Sequence, residues 1–322
     1  MRTTELGPIP GVSRLTLGGG GLGRGWGETT LEEAVATVHA AVDAGINLLD
    51  TAPMYRDCEQ VIGQAFEGAF PSHVRITTKC QLGEPAPGQA AAVLEASLDA
   101  SLEVMRAERA DIFFLHSNIC PDDYVYARHN DRRAQFATPW GVYLHEVIPA
   151  MESLKARGRI GAWGITGVGI PAIILEALNN DHAPDAVQAI ANILDSAGGM
   201  RNYQEAPRPR DIIAAAKAVG VGVLGIRAVQ AGALTATIDR EVRESHPEAA
   251  DYRRAAPFRA LCAELGVDPA LLAHRYALDI PGIDTLILGV KNRAELAQCL
   301  EAEALGPLPT VLRARIDGLG LG

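Results

Sequence analysis

Four residues of types that move protons lie at the ends of successive apolar runs: Asp50 and Tyr55 in LLDTAPMY, Lys79 in ITTK and His116 in DIFFLH. Together they could deliver a proton to a carbonyl oxygen. A lysine ammonium held by a carboxylate and aimed at a phenol favours the phenolate, which would bring Tyr55 below its ordinary pKa of about 10 and make it a usable general acid. An imidazole alongside can hydrogen-bond a substrate carbonyl and fix its orientation. Taken singly, each has a plainer role: Asp50 as a cap, Tyr55 as packing, Lys79 as a solvated charge, His116 as a satisfied buried polar group. What points to one site is all four in this order.

Such side chains converge only if the runs that carry them are neighbouring strands pointing the same way. Apolar runs that read as strands occur at 15–19, 46–52, 74–80, 111–117, 162–166, 186–192, 222–227 and 284–290. Most are near-continuously hydrophobic, as strands covered on both faces are. Between them the patterning predicts helices at 31–44, 58–69, 88–105, 141–157, 170–180, 209–219, 257–266 and 293–301. This alternation fits an α/β fold, a closed (β/α)8 or TIM barrel, with a doubly wound open sheet as the competing arrangement. No fixed-period repeat and no Pro/Ser-rich linker divides the chain, so residues 1–322 are expected to form a single domain. Long connections at 117–140, 193–208 and 228–256 follow strand C-terminal ends, where barrel enzymes build their sites.

Composition narrows the partners. With 48% hydrophobic residues there is ample core material, and a net charge of −10 without a dense Lys/Arg run argues against a nucleic-acid surface. The N-terminal MRTTELGPIPG lacks the apolar segment of a signal peptide, and no window reaches the roughly 18 apolar residues of a membrane span. A cytoplasmic protein with no membrane partner is expected. Cys58, Cys80, Cys120, Cys262 and Cys299 form no C-x-x-C pair, which reads as reduced thiols and no metal site.

LTLGGGGLGRGWG places Gly18, Gly20 and Gly23 at the G-x-G-x-x-G spacing of a dinucleotide-binding turn. That turn requires a helix at the third glycine and an acidic residue ending the next strand about 20 residues on. Here RGWGETT intervenes before a helix, and Asp43 falls inside that helix. The spacing therefore reads as coincidence. What remains is a stretch of backbone without side chains, Gly19 included, that a planar ligand could approach closely.

AGINLLDTAPMYRDCEQVIGQAF, ITTK and DIFFLHS closely resemble the aldo-keto reductase superfamily, and the likeness runs from residue 12 to about 302. The resemblance implies a (β/α)8 barrel with NAD(P)H lying extended across its C-terminal face and no Rossmann domain. It makes Tyr55 the proton donor, has Lys79 and Asp50 tune it, and has His116 orient the carbonyl. It assigns Thr166 and Gln188 to the nicotinamide carboxamide, with Gly167 where the family usually has Asn. In strand seven Ile226 replaces a stacking Tyr, and Arg227 is expected at the pyrophosphate.

LILGVKNRAELAQCL resembles the family's adenosine-phosphate segment. Lys291, Asn292 and Arg293 would stand at a helix N-terminus, where free N–H groups and the helix dipole favour a phosphate. The cofactor so implied is NADP(H), with NAD(H) the alternative. Glu295 and Cys299 depart from the family's usual residues, and an inward carboxylate would repel a 2′-phosphate. Arg56 and Cys58 stand where the family has Gly and Ser. Within loop 117–140, Tyr124, Tyr126, Phe136 and Trp140 are expected as a substrate wall, with a subunit contact as the alternative.

The expected activity is NAD(P)H-dependent reduction of an aldehyde or ketone. Oxidation of a sugar or other alcohol with NAD(P)+ is the alternative direction, and a nucleotide-binding regulatory protein on the same barrel is the alternative class. A third reading, Lys79 as a Schiff-base nucleophile, needs a neutral amine. Asp50 nearby should instead keep it charged.

Overall fold

Leu15, Leu17, Leu48 and Leu49 are all within 1% of complete burial, so the strands that carry them are covered on both faces. The computed structural model describes residues 1–322. Its strands are β1 (Thr3–Leu6), β2 (Ile9–Ser13), β3 (Leu15–Gly18), β4 (Leu48–Asp50), β5 (Arg75–Cys80), β6 (Ala110–Leu115), β7 (Asn118–Cys120), β8 (Ala137–Pro139), β9 (Ile160–Thr166), β10 (Ala186–Ile190), β11 (Gly222–Ile226) and β12 (Thr285–Leu288).

Strands β3, β4, β5, β6, β9, β10, β11 and β12 pair in that order, and β12 returns to pair with β3. All these pairs are parallel. The sheet is therefore a closed (β/α)8 barrel and not an open doubly wound sheet. Closure brings all the C-terminal strand ends to one rim, whatever their separation in sequence.

Each predicted strand overlaps an observed one. The helix expected over 141–157 is interrupted: Trp140–Val142 leads into a π-helical turn at Tyr143–Val147, and Ile148–Ala156 continues as α-helix. Pro149 has no N–H to return to the carbonyl of His145, and the wider turn relieves that mismatch. Helices at Pro247–Arg254, Pro269–Leu278 and Thr310–Asp317 were not foreseen.

Also unforeseen is the antiparallel hairpin β1–β2, which precedes the barrel. Its Leu6 and Val12 pack with Leu48, Ile112, Phe114, Ala162, Ala186 and Leu224. Its turn glycine, Gly7, has a φ of +55°, and a Cβ there would overlap the carbonyl of Asp185 just before β10. The hairpin thus plugs the N-terminal end of the barrel, and the site opens at the other rim. Within 117–140, β7 and β8 form a small parallel pair. No helix is long and apolar enough to cross a membrane.

Candidate active site

Alternation along a strand puts Thr77 and Lys79 on one face of β5, and register places Asp50 opposite Thr77. The Asp50 carboxylate is consequently surrounded by donors. Lys79 Nζ donates to its Oδ1 at 2.8 Å and Oδ2 at 2.7 Å, and Thr77 Oγ1 donates to Oδ1 at 2.7 Å. From β10, Gln188 Nε2 reaches the same Oδ1 at 2.6 Å. Lys79 Nζ also donates to the carbonyl of Thr51 at 2.8 Å. Both charged groups are 1% exposed, and a pair buried that deeply persists only when further hydrogen bonds offset its lost hydration.

Tyr55 ends the single 3-10 turn Pro53–Tyr55 that follows β4. Lys79 Nζ stands 4.7 Å from the centre of its ring, and the His116 ring meets it edge-on at 5.7 Å between centres. Burial pushes the Tyr55 phenol above its ordinary value, and the pull of Lys79 in the other direction is smaller. This reverses the expected direction. Asp50 neutralises much of the ammonium field, so the phenol keeps its proton at neutral pH, the form a proton donor requires.

Lys79 stays an ammonium. Burial works against its charge, but Asp50 and Tyr55 outweigh burial and raise its pKa. An amine in this state has no lone pair for Schiff-base formation. His116 is pushed down to about 3, by burial first and then by Lys79, and is neutral. Its Nδ1 is buried without a partner. A buried orphan N–H is disfavoured, which places the proton on Nε2.

The glycine stretch is filled by the chain itself. A Cβ on Gly18 would overlap the carbonyl of Leu288, one on Gly21 that of Val290, one on Gly23 that of Tyr55, and one on Gly19 the Cys58 sulfur. The close approach expected of a ligand is thus made, on these sides, by protein backbone and by Cys58.

Thr166 at the end of β9 is in register with Gln188 in the middle of β10, and Ile226 at the end of β11 faces Ile190. Ile226 packs on an apolar patch of Val168, Ile190 and Ala197. The structure places Arg227 otherwise than expected. Its guanidinium bonds Gln230 Oε1 and Glu248 Oε1, each at 2.9 Å, and is only 8% exposed. A guanidinium buried to that extent needs a carboxylate, and Glu248 supplies it.

Asn292 caps the helix Arg293–Ala304 by accepting from the N–H of Glu295. Lys291 pairs with Asp239 and with Glu295, and Arg293 pairs with Glu33. Cys299, expected near the nucleotide, is 2% exposed and faces His274 Nε2 at 3.5 Å, inside the core and out of a nucleotide's reach.

Of the loop aromatics, Tyr126 is 3% exposed between Tyr124 and Phe136, so it packs the loop and lines no substrate wall. The Tyr124 hydroxyl donates to Glu205 Oε2 at 2.7 Å and ties loop 117–140 to loop 193–208. Trp140 is half-buried and stacks on Tyr143 at 5.3 Å.

Sequence reasoning missed Thr77 and the bond from Gln188 to Asp50. The first was legible as the residue two before Lys79. The second joins strands that are not neighbours and had no signal. It also missed Asp239 and Glu33, and the stacking of Arg240 over Trp26 at 5.6 Å.

Comparison with known proteins agrees with this geometry. The chain is 27% identical over 303 residues to L-galactose dehydrogenase of Arabidopsis thaliana, covering 92% of this chain and 86% of that one. It is 26% identical over 249 residues to the NADH-specific methylglyoxal reductase of Escherichia coli, covering 71% and 68%. Its fold superposes with a TM-score of 0.69 on an aldo-keto reductase from Klebsiella pneumoniae in complex with NADPH, at 19% identity and covering 99% and 95%. The profile of the Aldo/keto reductase family matches residues 14–320, and with the barrel and its rim of Asp50, Tyr55, Lys79 and His116 this establishes that the chain belongs to that family.

Proposed function

We propose that this barrel reduces an aldehyde or ketone to an alcohol with a nicotinamide dinucleotide, and that Tyr55 is its general acid. The observation that carries the reading is the Tyr55 ring in contact with both Lys79 Nζ and the His116 imidazole. The rim suits a nicotinamide. Gln188 spends its amide N–H on Asp50, leaving its carbonyl oxygen for a carboxamide, with the Thr166 hydroxyl beside it and the apolar Ile226 patch to receive the ring.

When bound, the dihydronicotinamide supplies a hydride to the carbonyl carbon. His116 Nε2–H donates a hydrogen bond to the carbonyl oxygen and holds it near the phenol. As negative charge develops on that oxygen, Tyr55 transfers its proton to it, and the Lys79 ammonium stabilises the phenolate left behind. Asp50, fixed by Thr77 and Gln188, keeps the ammonium in place. Reprotonation of Tyr55 from solvent completes the cycle. In the reverse direction, where an oxidised nicotinamide would accept the hydride, the same groups would take the proton from the alcohol and hold the carbonyl product. The relatives named a dehydrogenase of a sugar and a reductase of methylglyoxal favour small oxygenated substrates in either direction.

Trp140 is our candidate for the substrate wall, since Tyr126 is buried and the Tyr124 hydroxyl is occupied. Lys291, Asn292 and Arg293 mark the adenosine end, and the choice between NADP(H) and NAD(H) is made there. We place the enzyme in the cytoplasm, where its five free, buried cysteines suit a reducing compartment.

The test is turnover of a panel of aldehydes, ketones and aldoses with each nucleotide, read at the nicotinamide absorbance, for wild type and Tyr55→Phe. The variant should bind nucleotide as wild type does and lose turnover by three or more orders of magnitude, on the order of what an essential acid contributes. Turnover near the wild-type rate would overturn the assignment. A wild-type protein that binds nucleotide but turns over nothing in the panel would favour the regulatory reading.

A further inference from the structure

The start of the helix Arg293–Ala304 offers what a phosphate seeks, N–H groups and two cations, and the chain's own carboxylates and the Asn292 amide already engage them. The N–H of Lys291 donates to Glu295 Oε2 at 2.9 Å, that of Arg293 to Glu33 Oε1 at 2.9 Å, and that of Glu295 to Asn292 Oδ1 at 2.9 Å. The side chains are engaged as well. Lys291 Nζ is bonded by Asp239 and by Glu295 Oε1, and the guanidinium of Arg293 clasps both oxygens of Glu33 at 3.2 and 2.8 Å.

We propose that Glu33, Asp239 and Glu295 make this end of the cleft select NAD(H) against NADP(H). The proposal rests on the dinucleotide reading above and on the adenosine end lying at Lys291–Arg293.

The charge inventory carries it. Two cations face three carboxylates, so the cluster is negative before any ligand arrives. A 2′-phosphate brings roughly −1.5 to −2 further charge. To be held, it must displace Glu33 from both the helix N–H and Arg293, or Asp239 from Lys291, and then stand beside the displaced carboxylate. A 2′-hydroxyl meets the opposite situation, because it is a donor and a carboxylate is its natural acceptor.

The residues come from three separate elements. Glu33 lies in the helix Leu31–Asp43, Asp239 in the connection after β11, and Glu295 in the helix that follows β12. Thr29 Oγ1 donates to the carbonyl of Lys291 at 2.8 Å and fixes the first of these to the third. Glu33 and Glu295 are set on helices, and Asp239 is held through Lys291. Asp239 is 52% exposed and Glu33 29%, so water and salt reach them. The discrimination should therefore be moderate and should weaken as ionic strength rises.

The experiment is isothermal titration of the wild-type protein with NADH and with NADPH at low and at high salt, repeated for the double variant Glu33→Gln, Asp239→Asn and for Glu295→Gln. NADH should bind at least about tenfold more tightly than NADPH at low salt, with the ratio shrinking at high salt. Removing the carboxylates should tighten NADPH by roughly tenfold and weaken NADH by a smaller factor, because the amides that replace them accept a hydrogen bond less strongly. Wild-type NADPH affinity equal to or above that of NADH overturns the proposal, as does a ratio that the variants leave unchanged. Failure of both nucleotides to bind overturns instead the dinucleotide reading on which it stands. The wild-type comparison decides the matter even if a variant fails to fold.

Discussion

The side-chain amide of Gln188 donates to Asp50 Oδ1 at 2.6 Å, across the inside of the barrel, onto the carboxylate that holds Lys79. A residue read from sequence as a cofactor contact is thus part of what positions Lys79. Replacing Gln188 by Met keeps the volume and removes the donor. A lost hydrogen bond to a charged group should cost about 1.5–3 kcal/mol of stability, measured by denaturant unfolding. Turnover should fall along with stability. An unchanged unfolding midpoint with unchanged kcat would show the bond to be idle.

His116 gives a pH signature with a defined sign. Its pKa is near 3 in the folded protein and about 6.5 in an unfolded chain, so between those values the unfolded state binds more protons. Its contribution to stability is fully present above about pH 6.5 and is lost as pH falls toward 3. His116→Gln, which cannot ionise, should flatten the fall in stability over that window in unfolding curves taken at successive pH values. The buried His274 is shifted the same way and should leave a residual slope. Reduction by the wild-type enzyme should show no inflection between pH 6 and 7 that His116→Gln removes.

Gly23 packs directly against the turn that carries Tyr55. A Cβ there overlaps the carbonyl of Tyr55, which is backbone and cannot swing aside. Gly23→Ala should move the phenol by a fraction of an ångström or more and lower kcat by about 10²-fold, the cost typical of misplacing a reacting group. Steady-state kinetics with the best substrate from the panel is the check, and a kcat within twofold of wild type would refute the link.

Tyr126 and Trp140 should separate cleanly. Tyr126→Ala opens a cavity among Tyr124, Phe136 and the Cys120 region and should cost about 3–5 kcal/mol, with the order of preferred substrates unchanged. Trp140→Ala should instead reorder relative kcat/KM values across the panel with a smaller loss of stability. Reordering by Tyr126→Ala and none by Trp140→Ala would reverse the assignment.

The barrel strands, and the four candidate residues that the fold gathers at one rim, were legible in the sequence by itself. Both rest on short-range pattern: continuous apolar runs bounded by turns, with Asp50, Tyr55, Lys79 and His116 at or just past the ends of three of them. It also exposed the flaw in the glycine fingerprint, because that test is one of spacing. Tertiary structure decided whatever depends on which distant groups become neighbours. The β1–β2 plug was unreadable because its short strands, TTEL and IPGVS, carry few apolar residues, and Leu6 and Val12 are buried only against the barrel floor. The direction of the Tyr55 shift required the balance of burial against an ammonium already neutralised by Asp50. Arg227, Lys291 and Arg293 read as free cations in a string of letters, and folding brought Glu248, Asp239, Glu295 and Glu33 onto them. Charge acts through space and not along the chain, so of these partners only Glu295, four residues from Lys291 on the same helix start, was within the sequence's reach.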